Sequence, residues 1–357
     1  MIGLERGKKM SLNPEITEAL LHWYDYNARI LPWREEPTPY RVWVSEIMLQ
    51  QTRVEAVKPY YERFMEALPD VKALAEVEDD KLMKLWEGLG YYNRARNLKV
   101  AANQVMDEFG GEIPGDYEKL LSLKGVGAYT AGAVGSIAFG LPVAAVDGNV
   151  LRVITRITGD KSDILKQSTK NAVTKDLLEI IPKGREGDFN QALMELGATV
   201  CVPNGQPHCE ECPWDTICEA YKKDLIDEIP VKTPKKKRKI EQKTVFLLEY
   251  QGRIAIHKRV NSGLLAGLWE FPNLPGAYSI EQLEDQMEEW KIKEYQMETM
   301  PKAKHIFSHI EWYMTGFSIK CKEKPQIEDC VWITKKELEE EYAIPSAFEA
   351  FKAALLK

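Results

Sequence analysis

The chain of 357 residues contains no apolar run near the roughly 18 to 20 residues a bilayer span requires, and its start lacks the apolar core of a secretory signal. These absences argue against a membrane or secreted protein, so a soluble, cytoplasmic one is expected, nucleoid-associated if bacterial. A surplus of positive charge is also missing: 48 Lys and Arg stand against 55 Asp and Glu, for a formal net charge of -7. Taken alone, that balance disfavours a nucleic-acid partner. The acidic residues crowd the C-terminal half, however, at 281–289 and 337–341, leaving the N-terminal half freer to present a basic face. No internal repeat is visible, and 44% hydrophobic content excludes a disordered chain. Cysteine is scarce at six, but four fall between Cys201 and Cys218. In a reducing compartment such clustering points to a metal site rather than disulfides. Cys321 and Cys330 lack such company and read as ordinary buried thiols.

The length supports two domains. From Pro14 to Tyr221 apolar residues recur at three and four spacing, as at 15–26, 71–75 with 80–86, and 117–123, which predicts successive amphipathic helices. Residues 230–239, with the run Lys235-Lys236-Lys237-Arg238, have no apolar face and read as a linker, either solvated or touching phosphate. Beyond Thr244 short strands are predicted at 245–250, 253–258, 312–319 and 330–333, with helices at 280–290 and 335–341. The division is an all-α domain over 1–228, a linker over 229–243 and an α+β domain over 244–357. Met10 is a credible start beside Met1.

Four elements carry chemistry. Glu46 sits in Val42-Trp43-Val44-Ser45-Glu46-Ile47-Met48-Leu49-Gln50-Gln51, a helix apolar nearly all round. Desolvation there would raise its pKa towards that of a general acid, unless it forms a buried pair with Arg29 or Arg34. The turn Gly125-Val126-Gly127 between two helices can bring backbone N–H groups to a DNA phosphate, or can serve packing alone. Asp147 in Val146-Asp147-Gly148-Asn149-Val150 is a natural N-cap, and the donors of a helix start favour its ionised form. Two carboxylates with separated pKa values suit cleavage of a glycosidic bond through a cationic sugar. The fourth element is Cys201-x7-Cys209-x2-Cys212-x5-Cys218, a set that can close around zinc or an iron-sulfur cube. A single Cys-x-x-Cys with outriders favours the cluster.

In this order, together with Gly-Leu-Gly-Tyr-Tyr-Asn-Arg-Ala-Arg-Asn-Leu at 88–98, the motifs resemble those of the MutY-type adenine DNA glycosylases of the helix-hairpin-helix superfamily. The resemblance runs from about Leu20 to the C-terminus. It implies an all-α helix-hairpin-helix glycosylase domain with an iron-sulfur loop, followed by an α+β Nudix-like domain. It further implies a 4Fe-4S cluster on the four cysteines and a monomer acting on double-stranded DNA. Adenine opposite 8-oxoguanine would flip into a pocket. There Glu46 would protonate it and Asp147 would stabilise the sugar cation, with Tyr129 and Asn149 assisting. Arg29, Trp33, Arg34 and Gln191 would lie about the base, and Gln51 and Tyr91 would wedge into the stack. Phe307-Ser308-His309 would contact 8-oxoguanine, following the entry motif Gly267-Leu268-Trp269-Glu270-Phe271-Pro272. Trp33 and Tyr91 could instead simply pack, Gln191 cap a helix, and His309 close a strand.

Tyr129 stands where the similar endonuclease III enzymes carry a lysine that forms a Schiff base, so lyase activity is not expected; Lys124 lies before the glycines and does not replace it. Two departures stand out. The first cysteine spacing is x7 where x6 is common, and the Nudix pyrophosphatase box is broken, with Glu284 for its arginine and Lys291 for its glycine. The alternatives are a glycosylase-lyase for oxidised pyrimidines and a non-catalytic iron-sulfur protein that binds DNA or senses redox state; against the latter, the cluster is expected to shape a DNA-binding loop, with Lys222 and Lys223 just beyond it as phosphate contacts.

Overall fold

A computed structural model describes residues 14–234 and 237–356. Met1, Met10, Lys235 and Lys236 of the sequence reading lie outside them. The described chain forms two compact units, one from residues up to Glu76 and Arg96–Pro234, the other from Val77–Ala95 and the residues beyond 236.

The helices in chain order are α1 (Pro14–Asn27), α2 (Pro32–Glu35), α3 (Pro39–Leu49), α4 (Val54–Ala67), α5 (Val71–Glu76), α6 (Asp79–Leu85), α7 (Asn93–Phe109), α8 (Tyr117–Ser122), α9 (Ala128–Phe139), α10 (Gly148–Thr158), α11 (Gln167–Leu178), α12 (Glu186–Thr199) and α13 (Glu219–Lys222). Thr38 caps α3 by accepting the Arg41 N–H, with Pro39 in the first turn, where its missing donor is harmless. Every residue of α3 from Tyr40 to Met48 but Arg41 is buried, because the helix packs against α4 on one side and α9 on the other. A small residue also lets α9 lie tightly against the loop before α10. A Cβ on Gly132 of α9 would stand 2.3 Å from the Ala144 carbonyl oxygen, so only glycine allows that approach. Behind the site Leu20, Val150, Ile154, Leu193 and Trp214 pack in one cluster, and the Trp214 indole donates to the Ile16 carbonyl at 2.9 Å. This anchors the cysteine loop on α1.

The second unit is built on a mixed sheet of β1 (Lys239–Tyr250), β2 (Arg253–Lys258), β3 (Trp269–Glu270), β4 (Asn273–Pro275), β5 (Tyr295–Thr299), β6 (Ala303–Ile306), β7 (Ile310–Cys321) and β8 (Cys330–Ile333). Its spine is the parallel pair β1 and β7, in register from Lys239 opposite Ile310 to Tyr250 opposite Cys321. Alternate residues of β1 enter two cores. Val245 and Leu247 join Phe348 and Phe351 of the C-terminal helical segment, whereas Phe246 and Leu248 join Leu283 and Met287 of α14 (Ile280–Glu289). α15 (Lys335–Glu340) and α16 (Glu349–Leu355) complete the fold. Ser279 and Thr334 open α14 and α15 with capping boxes.

Strands 253–258 and 330–333 fall where the alternation places them. β1 begins at Lys239, within the span read as linker, because its early residues find a partner in β7 rather than a core. The short strands β3 to β6 carry too few residues to show a period. Residues 77–95, which sequence order assigns to the first domain, associate with the second unit.

Candidate active site

α3 carries Glu46 into the interior, where it is 6% exposed. Burial pushes its pKa up to about 7; the Tyr129 hydrogen bond and Arg34 pull it down and the charge of Asp147 raises it. The Tyr129 hydroxyl lies 2.5 Å from Glu46 Oε2 and 3.2 Å from the Met194 sulfur. Burial and the neighbouring carboxylates hold the phenol well above its ordinary pKa of 10, so it stays a donor near neutral pH. Asp147 caps α10, accepting the Val150 N–H at 2.8 Å and the Asn149 side-chain amide at 2.7 Å. These donors favour the anion, as the capping argument expects. Burial nevertheless outweighs them, so the Asp147 pKa is raised from 3.8 rather than held down.

Glu46, Tyr129, Asp147 and Asn149 line one cavity of about 150 Å³ with Arg29, Trp33, Arg34, Gln191 and Met194. A cavity of this size admits a single aromatic molecule. A buried pair between Glu46 and an arginine does not form. Arg29 instead grips Glu195 of α12 through Nε at 2.6 Å and a terminal nitrogen at 3.0 Å, and Arg34 reaches the same carboxylate at 2.9 Å. Burial raises the pKa of Glu195, but the hydrogen bonds of Arg29 and the charge of Arg34 outweigh it and keep the group ionised. Because Glu195 occupies both arginines, Glu46 keeps its proton near neutrality. Sequence reading missed Glu195, although its place one turn beyond Gln191 on α12 was a usable signal. It also missed Arg152, buried in α10, which donates to Asn149 Oδ1 at 2.9 Å, the Gly197 carbonyl at 2.7 Å and the Cys201 carbonyl at 2.8 Å. Trp33 both lines the cavity and packs edge-on against Tyr61.

Other residues singled out by the sequence lie outside that cavity. Gln51 follows α3 in the left-handed region with φ 58° and is exposed. Tyr91, 47% exposed, has φ 48°. Both are non-glycine residues in the left-handed region, a conformation that costs backbone energy. Gly125, with φ 78°, opens the hairpin between α8 and α9; a Cβ there would meet Asn97 at 2.7 Å. Val126 is buried and Gly127 caps α9. In the second unit Phe307 packs edge-on against Trp312, while Ser308 and His309 are exposed at the turn between β6 and β7.

Cys201, Cys209, Cys212 and Cys218 line a common small cavity with Arg156, which donates to the Cys201 sulfur at 3.3 Å. Backbone N–H groups of Trp214, Ala220 and Tyr221 are directed at Cys212 and Cys218. Unbonded thiols around one cavity, with donors aimed at sulfur, fit a thiolate-bound metal or cluster. His208, Glu210 and Glu211 also gather their ligand atoms within 4.8 Å, all three exposed. Beyond the loop Lys223 is engaged by Glu219 at 2.6 Å, so it is a weaker phosphate candidate than Lys222. Burial raises Cys321 and Cys330 to about 11, as befits inert thiols. Among the described residues no helix is long and apolar enough to cross a membrane.

Residues 44–183 match the HhH-GPD superfamily of base excision DNA repair proteins, and residues 244–354 match the NUDIX domain. The chain is 34% identical to an adenine DNA glycosylase of Mus musculus over 86% of its own length and 70% of that protein's. To the adenine DNA glycosylase of Schizosaccharomyces pombe it is 35% identical, over 95% and 89%. Among solved structures, a thermostable thymine-DNA glycosylase aligns with TM-score 0.53 and 31% identity, covering 58% of this chain and 96% of that one.

Proposed function

This chain belongs to the MutY-type adenine DNA glycosylases, and from that premise we propose that it hydrolyses the N-glycosidic bond of adenine mispaired with 8-oxoguanine or guanine, without cutting the strand. The observation that carries the reading is one cavity holding a carboxyl with pKa near 7, a second carboxylate under amide donors, and a phenol.

In the proposed reaction the flipped adenine enters beside Trp33, Arg34 and Gln191. Glu46 gives its proton to N7 as the C1′–N9 bond breaks, so adenine leaves neutral and the sugar becomes an oxocarbenium ion. Asp147, with Asn149, stabilises that cation electrostatically until water adds at C1′ and passes its proton to the Glu46 carboxylate, which restores the acid. Tyr129 donates to Glu46 Oε2 and lies beside the Met194 sulfur, which fixes the acid's orientation. Arg29 and Arg34 act through Glu195, which holds them away from the acid. A phenol forms no imine, so no strand scission follows.

Gln51 and Tyr91 serve as wedges in the base stack, and the hairpin Gly125, Val126 and Gly127 offers N–H groups to a phosphate. Phe307, Ser308 and His309 read 8-oxoguanine on the opposite strand. Cys201, Cys209, Cys212 and Cys218 would hold a 4Fe-4S cluster, whose binding would cross-link the loop. The protein acts as a monomer.

The test is a labelled duplex with adenine opposite 8-oxoguanine beside one carrying an oxidised pyrimidine. Breakage of the adenine duplex only after alkali is expected. Breakage at the pyrimidine without alkali would replace this reading with a lyase.

A further inference from the structure

The segment that carries Tyr91 belongs to the same compact unit as the Phe307-Ser308-His309 turn, although residues 96–234 separate it in sequence from the rest of that unit. Named side-chain contacts hold it there. Lys84 in the last turn of α6 reaches the Tyr342 carbonyl at 3.2 Å and the Leu338 carbonyl at 3.4 Å, beside α15. Asp80 receives Lys258 Nζ at 2.7 Å and the Trp269 indole N–H at 3.2 Å. Glu87 is the hub. Its Oε1 accepts Lys352 Nζ at 2.7 Å and the Ile344 N–H at 3.0 Å, while Oε2 lies 2.7 Å from Lys84 Nζ. Lys352, Glu87 and Lys84 side chains are 11%, 18% and 19% exposed, so the triad is shielded enough to be weakly screened.

The residues just after Glu87 form the turn that presents Tyr91. The Trp86 indole donates to the Gly90 carbonyl at 3.1 Å, and Arg94 donates to the Leu89 and Gly90 carbonyls at 3.2 and 3.1 Å. The Arg94 guanidinium also lies over the Tyr91 ring, 5.4 Å from its centroid. The turn is thus internally stiff, with its left-handed Tyr91 fixed relative to Glu87. A stiff turn aims its tip only as well as its base is held, and Glu87 is the base.

We propose that Glu87, clamped by Lys352 and Lys84, is a positioning residue for Tyr91: the ion triad fastens the stack-wedging turn to the unit that reads the opposite base. Loosening the triad therefore reduces the advantage conferred by 8-oxoguanine, since wedge and reader no longer keep one fixed spacing. The inference rests on the wedge role of Tyr91 proposed above, and the experiment separates the two.

Single-turnover adenine release is measured opposite 8-oxoguanine and opposite guanine for Glu87→Gln, Lys352→Met, Lys352→Arg, the Glu87→Gln/Lys352→Met double variant and Tyr91→Ala. A 2-aminopurine beside 8-oxoguanine reports unstacking, and thermal melts report folding. Glu87→Gln and Lys352→Met are each expected to lower the 8-oxoguanine-to-guanine rate ratio about tenfold and to weaken the 2-aminopurine fluorescence rise towards the Tyr91→Ala level. The double variant should lose no more than either single one, and Lys352→Arg should keep most of the ratio. If Tyr91→Ala leaves ratio and fluorescence unchanged, the wedge reading fails. If Tyr91→Ala abolishes both while the folded triad variants match the parent, or if the two single losses multiply, the positioning role of Glu87 is overturned.

Discussion

At the scale of single residues, the site works by deciding which carboxylate meets the arginines. Glu195 takes Arg29 and Arg34, and Glu46 is left in a buried surrounding that raises its pKa to about 7 although the Tyr129 phenol pulls it down. An acid must be protonated to act, so the adenine-release rate is predicted to fall about tenfold per pH unit above about 7. Tyr129→Phe removes a hydrogen bond that lowers this pKa, so the limb should move to higher pH; a limb that stays put in that variant would break the assignment. The same shift bears on stability. A folded pKa raised above the unfolded one stabilises at low pH, and that contribution is lost as pH rises from 4.5 through about 7. Glu46→Gln should therefore unfold at higher denaturant than the parent at pH 8, by a difference of order 3 kcal/mol. Equal midpoints at pH 8 would show that the group carries no buried charge. Glu46 was legible because an apolar helix with one carboxylate has few explanations. Glu195 was not, since its significance lies in two arginines some 160 positions away, a distance no local pattern spans.

At the scale of elements, close approach between helices places the two carboxylates. Gly132 lets α9 meet the Ala144 backbone, where an added Cβ would fall 2.3 Å from a carbonyl oxygen. Alanine is the better helix former by about 1 kcal/mol, yet overpacking against backbone costs about 1–3 kcal/mol, so Gly132→Ala should destabilise. Chemical denaturation reads the sign, and a stabilised variant would refute this packing. Gly197 of α12 performs the same service for Asn149, whose Cβ lies 2.7 Å from where an alanine Cβ would be. Gly197→Ala should slow adenine release by displacing Asn149 from Asp147. The cysteine loop makes a separate prediction: protein purified without air should absorb in the visible and contain iron and sulfide in equal amounts. Zinc in their place would contradict the cluster. The long helices and β2 were legible because period and caps agree over many residues. β3 to β6 were not, being two to five residues long and fixed by partners rather than by their own pattern.

At the scale of the whole molecule, the net charge of -7 is a poor guide, because it averages over two units and the acidic residues crowd the C-terminal half. The broad order of helical part and then sheet was visible in the switch of hydrophobic period from helix to strand. The membership of residues 77–95 in the second unit was not, since those residues carry an ordinary helical pattern and only tertiary contacts claim them. The account stands on a proton held by Glu46 and released to a leaving base. Its most direct test is Glu46→Gln, assayed in single turnover with an adenine:8-oxoguanine duplex while duplex affinity is followed in parallel. Adenine release lost by about a thousandfold or more, with affinity within a fewfold of the parent, is the predicted result, on the scale expected for removal of a general acid. Turnover close to the parent's would place the acid elsewhere.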